Sequence, residues 1–234
     1  MVRLFLDAGA DREARDSEGR TPLSCASGWG HVGALRELLA SGADADTRDD
    51  WGRSPVHQAV LRGHLGPLPL LLERTERIDE MDQDGGTPLG WAVRHGHVRL
   101  AELLSAKGAN LRTRDETGNT LLHLAAYQGR EQAIRVLLER GLSADDLDQH
   151  GRTPVHSACW NGHVNSLQVL VEAGGKADVR DDDGRLPLHW AAHHGHVQVL
   201  EYLLGHGGDL EARDNAGRTA LILAGMSGCA EVAA

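Results

Sequence analysis

Apolar and polar positions along the chain follow one long spacing. Leucine-rich clusters such as Val136-Leu137-Leu138 and Tyr202-Leu203-Leu204 recur between polar, glycine-containing stretches, and a shift of 33 residues superimposes the chain on itself without a gap. Asp recurs at Asp16, Asp49, Asp82, Asp115, Asp148, Asp181 and Asp214, and Gly follows three places on at Gly19, Gly52, Gly85, Gly118, Gly151, Gly184 and Gly217. An Ala column runs from Ala26 to Ala224 and a second Gly column from Gly30 to Gly228. Periods of this length mark repeat architectures, so the repeat is read before any single helix or strand.

Each column predicts a local structure. Asp-x-x-Gly is a tight-turn signature, because Asp bonds its own backbone and Gly tolerates positive φ. Thr21-Pro22, Ser54-Pro55, Thr87-Pro88 and Thr153-Pro154 read as an N-cap followed by Pro at the first helical position. The short helix that follows carries the Ala column, where a small side chain lets helices approach closely. It stops at Gly30 and its equivalents, which supply a left-handed end. A second helix holds the apolar clusters and ends at Gly9, Gly42, Gly108, Gly141, Gly174 or Gly207. One such unit cannot bury its apolar face alone, so neighbouring units stack thin layers into a continuous core.

The run Asp-x-x-Gly-Arg-Thr-Pro-Leu-His-x-Ala, seen from Asp181 to Ala191 with Leu186 in place of Thr, resembles the ankyrin repeat, as do Gly195-His196 and the leucine-rich second helix. The resemblance covers the whole chain. It implies an all-α fold, an α-solenoid of helix–turn–helix repeats joined by hairpin-like loops, forming one domain over 1–234. Residues 1–15 are then a partial repeat, followed by complete repeats 16–48, 49–81, 82–114, 115–147, 148–180 and 181–213, and a second partial repeat at 214–234. The family's usual role implies a non-catalytic module that recognises a protein on its concave side, as part of a larger scaffold, signalling or adaptor protein. The alternative from another class is a structural spacer without a specific ligand.

Two places depart from the pattern. Pro67 and Pro69 fall in the second helix of repeat 49–81, and Thr75 replaces its stopping Gly. Pro69 in a helix interior deletes a hydrogen bond, so a bent helix and a looser loop are expected near 66–80. The chain also begins inside a second helix (Val2, Leu4, Phe5, Leu6) and stops at Glu231-Val232-Ala233-Ala234. Each end is expected to expose an apolar edge, as a segment of a longer array does.

Composition narrows the partners. Hydrophobic residues make up 41% of the chain but aromatics only 3%, which suits thin layers filled by Leu, Val and Ala. Glycine, at 29 of 234 residues, exceeds the ordinary ~7% because the turns require it. A formal charge of −10 opposes non-specific attraction to nucleic acid or anionic lipid. Three unpaired-looking cysteines (Cys25, Cys159, Cys229), no apolar leader and no ~20-residue apolar run point to an intracellular protein, cytoplasmic or nuclear, without membrane insertion.

The candidate chemistry is weak at each place. Gly28-Trp29-Gly30-His31-Val32-Gly33 spells a G-x-G-x-x-G, but a capped helix rather than a strand precedes it, so no nucleotide cofactor is expected. Nine of the histidines fall in two columns, His57, His123, His156, His189 and His31, His64, His97, His163, His196. The family resemblance gives them scaffold hydrogen bonds. His189 and His193 share a helical face and lie near His194 and His196, yet no Cys or carboxylate is placed to complete a metal shell. Ser24 and Cys25 lie near His31, and Cys159 near His156 and His163, but each Cys sits where other repeats put Trp, Leu, Ala or Val, so buried packing is its expected role.

The informative positions vary while the scaffold repeats. They are the loop tips Glu18, Trp51, Asp84, Thr117, His150 and Asp183, and the pairs before each helix-stopping Gly. By resemblance these face the concave groove. Trp, Tyr and Arg dominate interface energetics, so the expected partner-binding residues are Trp29, Trp51, Arg62, Arg94, Tyr127, Trp160 and His193, with Arg20, Arg53, Arg152 and Arg185 beside them. Trp91 and Trp190, one turn earlier, are expected to pack inside.

Overall fold

The computed structural model describes residues 1–228. The repeating turn glycines decide where its helices stop. Every positive-φ residue among those described is a glycine. At the end of the first helix of repeat 16–48, Gly30 has φ 70°. Its N–H bonds Ser27 O at 3.1 Å, and the His31 N–H bonds Ala26 O at 2.9 Å. This is the paired closure of a helix by a left-handed residue. The second helix closes likewise at Gly42, with Ala43 N–H on Leu38 O at 3.0 Å. At the other end, Thr21 accepts the Ser24 N–H and Pro22 takes the first helical position, where a missing N–H costs nothing.

The chain forms two compact units, Met1–Thr113 and Arg114–Ala234. The first holds α1 (Val2–Asp7), α2 (Pro22–Gly28), α3 (Val32–Ala40), α4 (Pro55–Leu61), α5 (Leu68–Leu72), α6 (Pro88–His95) and α7 (Val98–Ala106). The second holds α8 (Leu121–Tyr127), α9 (Glu131–Glu139), α10 (Pro154–Trp160), α11 (Val164–Glu172), α12 (Pro187–His194), α13 (Val197–Gly205) and α14 (Ala220–Met226). The described residues contain no strand, only one isolated bridge between Arg114 and Thr120. The fold is thus an all-α repeat solenoid.

Within each unit, first helices pack on first helices and second on second. α2 contacts α4 and α4 contacts α6; α8, α10, α12 and α14 follow one another in the same way. The Ala column lies in these seams, and Ala59, Ala92, Ala125, Ala158 and Ala191 are fully buried. Leucines such as Leu23, Leu35, Leu89, Leu104, Leu122, Leu167 and Leu170 fill the space between helix layers. No helix among the described residues is long and apolar enough to cross a membrane.

Repeat 49–81 corrects one expectation. Its second helix is shortened, not bent through Pro69. α5 has five residues where α3, α7, α9, α11 and α13 have nine. It starts at Leu68, which places Pro69 in the first turn, where its missing N–H deletes nothing. Residues Leu65 to Pro67 form a turn instead, with the Leu68 N–H on Leu65 O at 3.2 Å. Burial of Leu68 and Leu71 fixes this register. Thr75 takes no left-handed conformation; its hydroxyl bonds Asp46, and its oxygen accepts the Arg77 N–H at 3.0 Å.

Apolar side chains are exposed on α1 (Leu4, Phe5) and on α14 (Leu221, Ile222, Met226). The stretch Glu231 to Ala234, and with it Cys229, lies outside the described residues.

Candidate functional site

The loops are built around the repeated aspartate. In all seven turns Oδ1 of the Asp accepts the main-chain N–H groups two and four residues on, as Asp148 does from His150 at 2.8 Å and Arg152 at 2.9 Å. The second oxygen is closed by whichever donor the repeat supplies. Arg20, Arg152 and Arg218 bond it in their own turns, Gln58 Nε2 does so at 2.6 Å, and the indoles Trp91 and Trp190 each do so at 2.9 Å. Burial works against ionisation of Asp148, but the Arg152 and His150 hydrogen bonds outweigh it and hold the carboxyl below its usual range. Sequence reading missed this role for Gln58, Trp91 and Trp190. The available signal was an N–H donor nine residues after the Asp.

The histidine columns bind repeat to repeat. His156 Nδ1 accepts the Thr153 N–H at 3.0 Å, so the proton sits on Nε2, which donates to Arg185 O at 3.3 Å. His57 reaches Gly86 O, His123 reaches Arg152 O and His189 reaches Ala212 O in the same manner. Burial lowers the pKa of all four, that of His156 to about 4, so they are neutral at pH 7. The second column sits over the left-handed glycines of the preceding repeat. A Cβ on Gly162 would lie 2.5 Å from His196 Nδ1, and one on Gly129 would lie 2.7 Å from His163 Nδ1. His196 Nε2 also bonds Trp160 O at 2.8 Å.

The other candidate chemistry is absorbed by the scaffold. Full burial pushes the Cys159 thiol up, and partial burial raises that of Cys25, so neither is primed as a thiolate. Ser24 is buried against Thr21. The glycine-rich run 28–33 spans the end of α2 and the start of α3, with a helix in front of it. His189 uses both ring nitrogens in the scaffold, and His193 Nδ1 lies 2.7 Å from the Ser227 hydroxyl. Among the described residues no group of three His, Cys, Asp or Glu is arranged to hold a metal ion.

The varying positions differ between the units. In Met1–Thr113, rings meet guanidinium groups. The Trp29 ring is 62% exposed and lies 5.1 Å from the Arg62 guanidinium carbon. Arg53 stands 5.8 Å from both Trp51 and Trp91, while Arg94 covers Trp91 at 5.2 Å. Trp51 is exposed at its loop tip, and Trp91 is half-buried. In Arg114–Ala234, rings meet other rings as well as guanidinium groups, with Arg152 5.6 Å from Trp160 and Arg185 4.6 Å from Trp190. Trp160 stacks on the buried Trp190 at 4.2 Å, and His194 lies 5.1 Å from Trp160. His193 meets His194 edge-on at 5.0 Å. Tyr127 is exposed, with its carbonyl accepting Asn161 Nδ2 at 2.7 Å. Burial, and then the positive charges that His193 and His196 can carry, lower the His194 pKa.

Three successive matches to the family model for ankyrin repeats cover residues 30–115, 101–182 and 173–234. The chain belongs to the ankyrin repeat family. No curated protein matches it. Ankyrin repeats are generally protein–protein interaction modules and are typically non-catalytic. The columns of Asp, Gly and His described above are how this ankyrin chain meets the demands of that fold.

Proposed function

We propose that this chain recognises a protein partner through its loop tips and first-helix ends, as a non-catalytic part of a larger scaffold, signalling or adaptor protein. The reading assigns contact to Trp29, Trp51, Arg62 and Arg94 in the first unit and to Tyr127, Trp160 and His193 in the second. One observation carries it. While the turn Asp, the Ala column and the stopping Gly repeat for structural reasons, these loop-tip and helix-end positions differ from repeat to repeat and bring aromatic and cationic groups to the surface. A ring as exposed as Trp29 stabilises the fold little, yet Trp and Arg are the residues that contribute most when an interface covers them.

Affinity capture from a cell lysate with the intact chain, compared with the Trp29→Ala and Tyr127→Ala variants, tests the reading. A partner lost on substitution, with unchanged melting temperature, supports it. Retention of the same proteins by both variants removes these residues from the contact surface, and capture of nothing above background favours a structural spacer.

A further inference from the structure

The repeats are internal templates for one another, and repeat 181–213 shows what a ring placed in repeat 148–180 would meet. The position nine residues after the turn Asp varies (Cys25, Gln58, Leu124, Leu223); it holds an indole at Trp91 and Trp190, and the small Ser157 in repeat 148–180. Trp190 shows what surrounds an indole there. Trp160, from the preceding repeat, stacks on it at 4.2 Å, and Arg185 of its own turn covers it at 4.6 Å. Shifted back by one period, the stacking partner becomes Tyr127 and the covering cation becomes Arg152. Both are present, and the ring between them is not. What remains is a cleft of about 240 Å³ lined by Asn119, Tyr127, Arg152, His156, Ser157 and Trp160.

We propose that this cleft is a specificity pocket for one aromatic side chain, an indole above all, presented by the partner protein. The inference rests on the reading of this face as a protein-recognition surface and names the chemistry it takes. The volume is below the ~300–1,000 Å³ of small-molecule sites, which fits a single side chain better than a whole ligand. The charge pattern is complementary: the Arg152 guanidinium, 5.6 Å from the Trp160 ring, offers positive charge to the electron-rich face of an incoming ring. Tyr127 is exposed and positioned to stack, as Trp160 does on Trp190. Ser157 is the residue whose small size leaves the space open.

The test needs no partner. The 15N-labelled intact chain is titrated with N-acetyl-tryptophanamide and followed by NMR, with N-acetyl-leucinamide as the control. Expected are saturable shifts of the Trp160 indole N–H and the Asn119 side-chain amide, weaker with the leucine compound. Ser157→Trp supplies the missing ring internally, and the sister repeats show that the scaffold accepts it. It should weaken probe binding by more than about tenfold, while Ser157→Ala leaves it intact. Tyr127→Ala removes one wall and should weaken binding about threefold to tenfold, which keeps the inference testable if Ser157→Trp does not fold. Equal affinity in Ser157→Trp or in Tyr127→Ala, or unsaturable shifts spread over all five indoles, would overturn the pocket. A captured partner that survives Ser157→Trp but is lost on Tyr127→Ala would overturn the pocket and leave the proposed function standing.

Discussion

The inner histidine–loop network and the row of first-helix ends occupy the same repeats but obey opposite rules. In the network, His57, His123, His156 and His189 make nearly the same two hydrogen bonds each time, and every turn Asp accepts the same pair of main-chain donors. Along the row the residues are Gly28/Trp29, Leu61/Arg62, Arg94/His95, Tyr127/Gln128, Trp160/Asn161 and His193/His194, with no two alike. The difference teaches where free energy of folding is held. A buried group with both nitrogens engaged cannot be altered without leaving donors and acceptors unmet. Residues on the row differ in how firmly they are held: Trp160 packs on Trp190 and beside His194, whereas Trp29 is 62% exposed.

The sharpest way to break the comparison is at His156. His156→Ala strands the Thr153 N–H and the Arg185 carbonyl in a buried site, so a loss of about 2–4 kcal/mol is expected in urea unfolding. Acid acts on the same network. A histidine whose pKa falls from 6.5 to about 4 on folding binds fewer protons in the native state, so stability is full above about pH 6.5 and declines as pH drops toward 4. For His156 alone the whole loss is about 3 kcal/mol, complete only below pH 4, and melting temperatures taken from pH 7.5 to 4.5 should fall through that window. Gly162→Ala places a Cβ against His196 at φ 73° and is expected to cost about 2 kcal/mol or more, whereas Gly141→Ala, with open space around it at φ 80°, meets only the conformational cost of about 1–2 kcal/mol. Comparing the two by urea unfolding separates the close approach from the backbone requirement. On the row, Trp160→Ala loses its stack on Trp190 and should cost the fold about 1 kcal/mol, while Trp29→Ala and Arg62→Ala should each stay within about 0.5 kcal/mol.

Most of the fold was legible in the sequence because its demands are chemical and local. Only glycine meets the left-handed helix ends cheaply, only a short polar side chain closes the turn, and Pro after Thr or Ser marks a helix start. The start of α5 was not legible. A Pro at position 69 is compatible with either a bent long helix or a short one beginning at Leu68, and burial of Leu68 and Leu71 decides between them. Of the candidate site, the exposure of Trp29 and the burial of Trp190 follow from the repeat register. The stacking of Trp160 on Trp190 does not, since it joins residues 30 positions apart through the packing of α10 on α12. Ser157 was hidden for the opposite reason, because its contribution lies in what it lacks, and only alignment with Trp91 and Trp190 reveals it.

A single variant carrying Trp29→Ala, Arg62→Ala and Tyr127→Ala, measured for unfolding free energy and for capture of its partner, puts the separation of scaffold from reading surface to the most direct test. The account predicts stability within about 1 kcal/mol of the parent chain and loss of the partner. A triple variant that unfolds, or one that holds the partner as tightly as before, would contradict it.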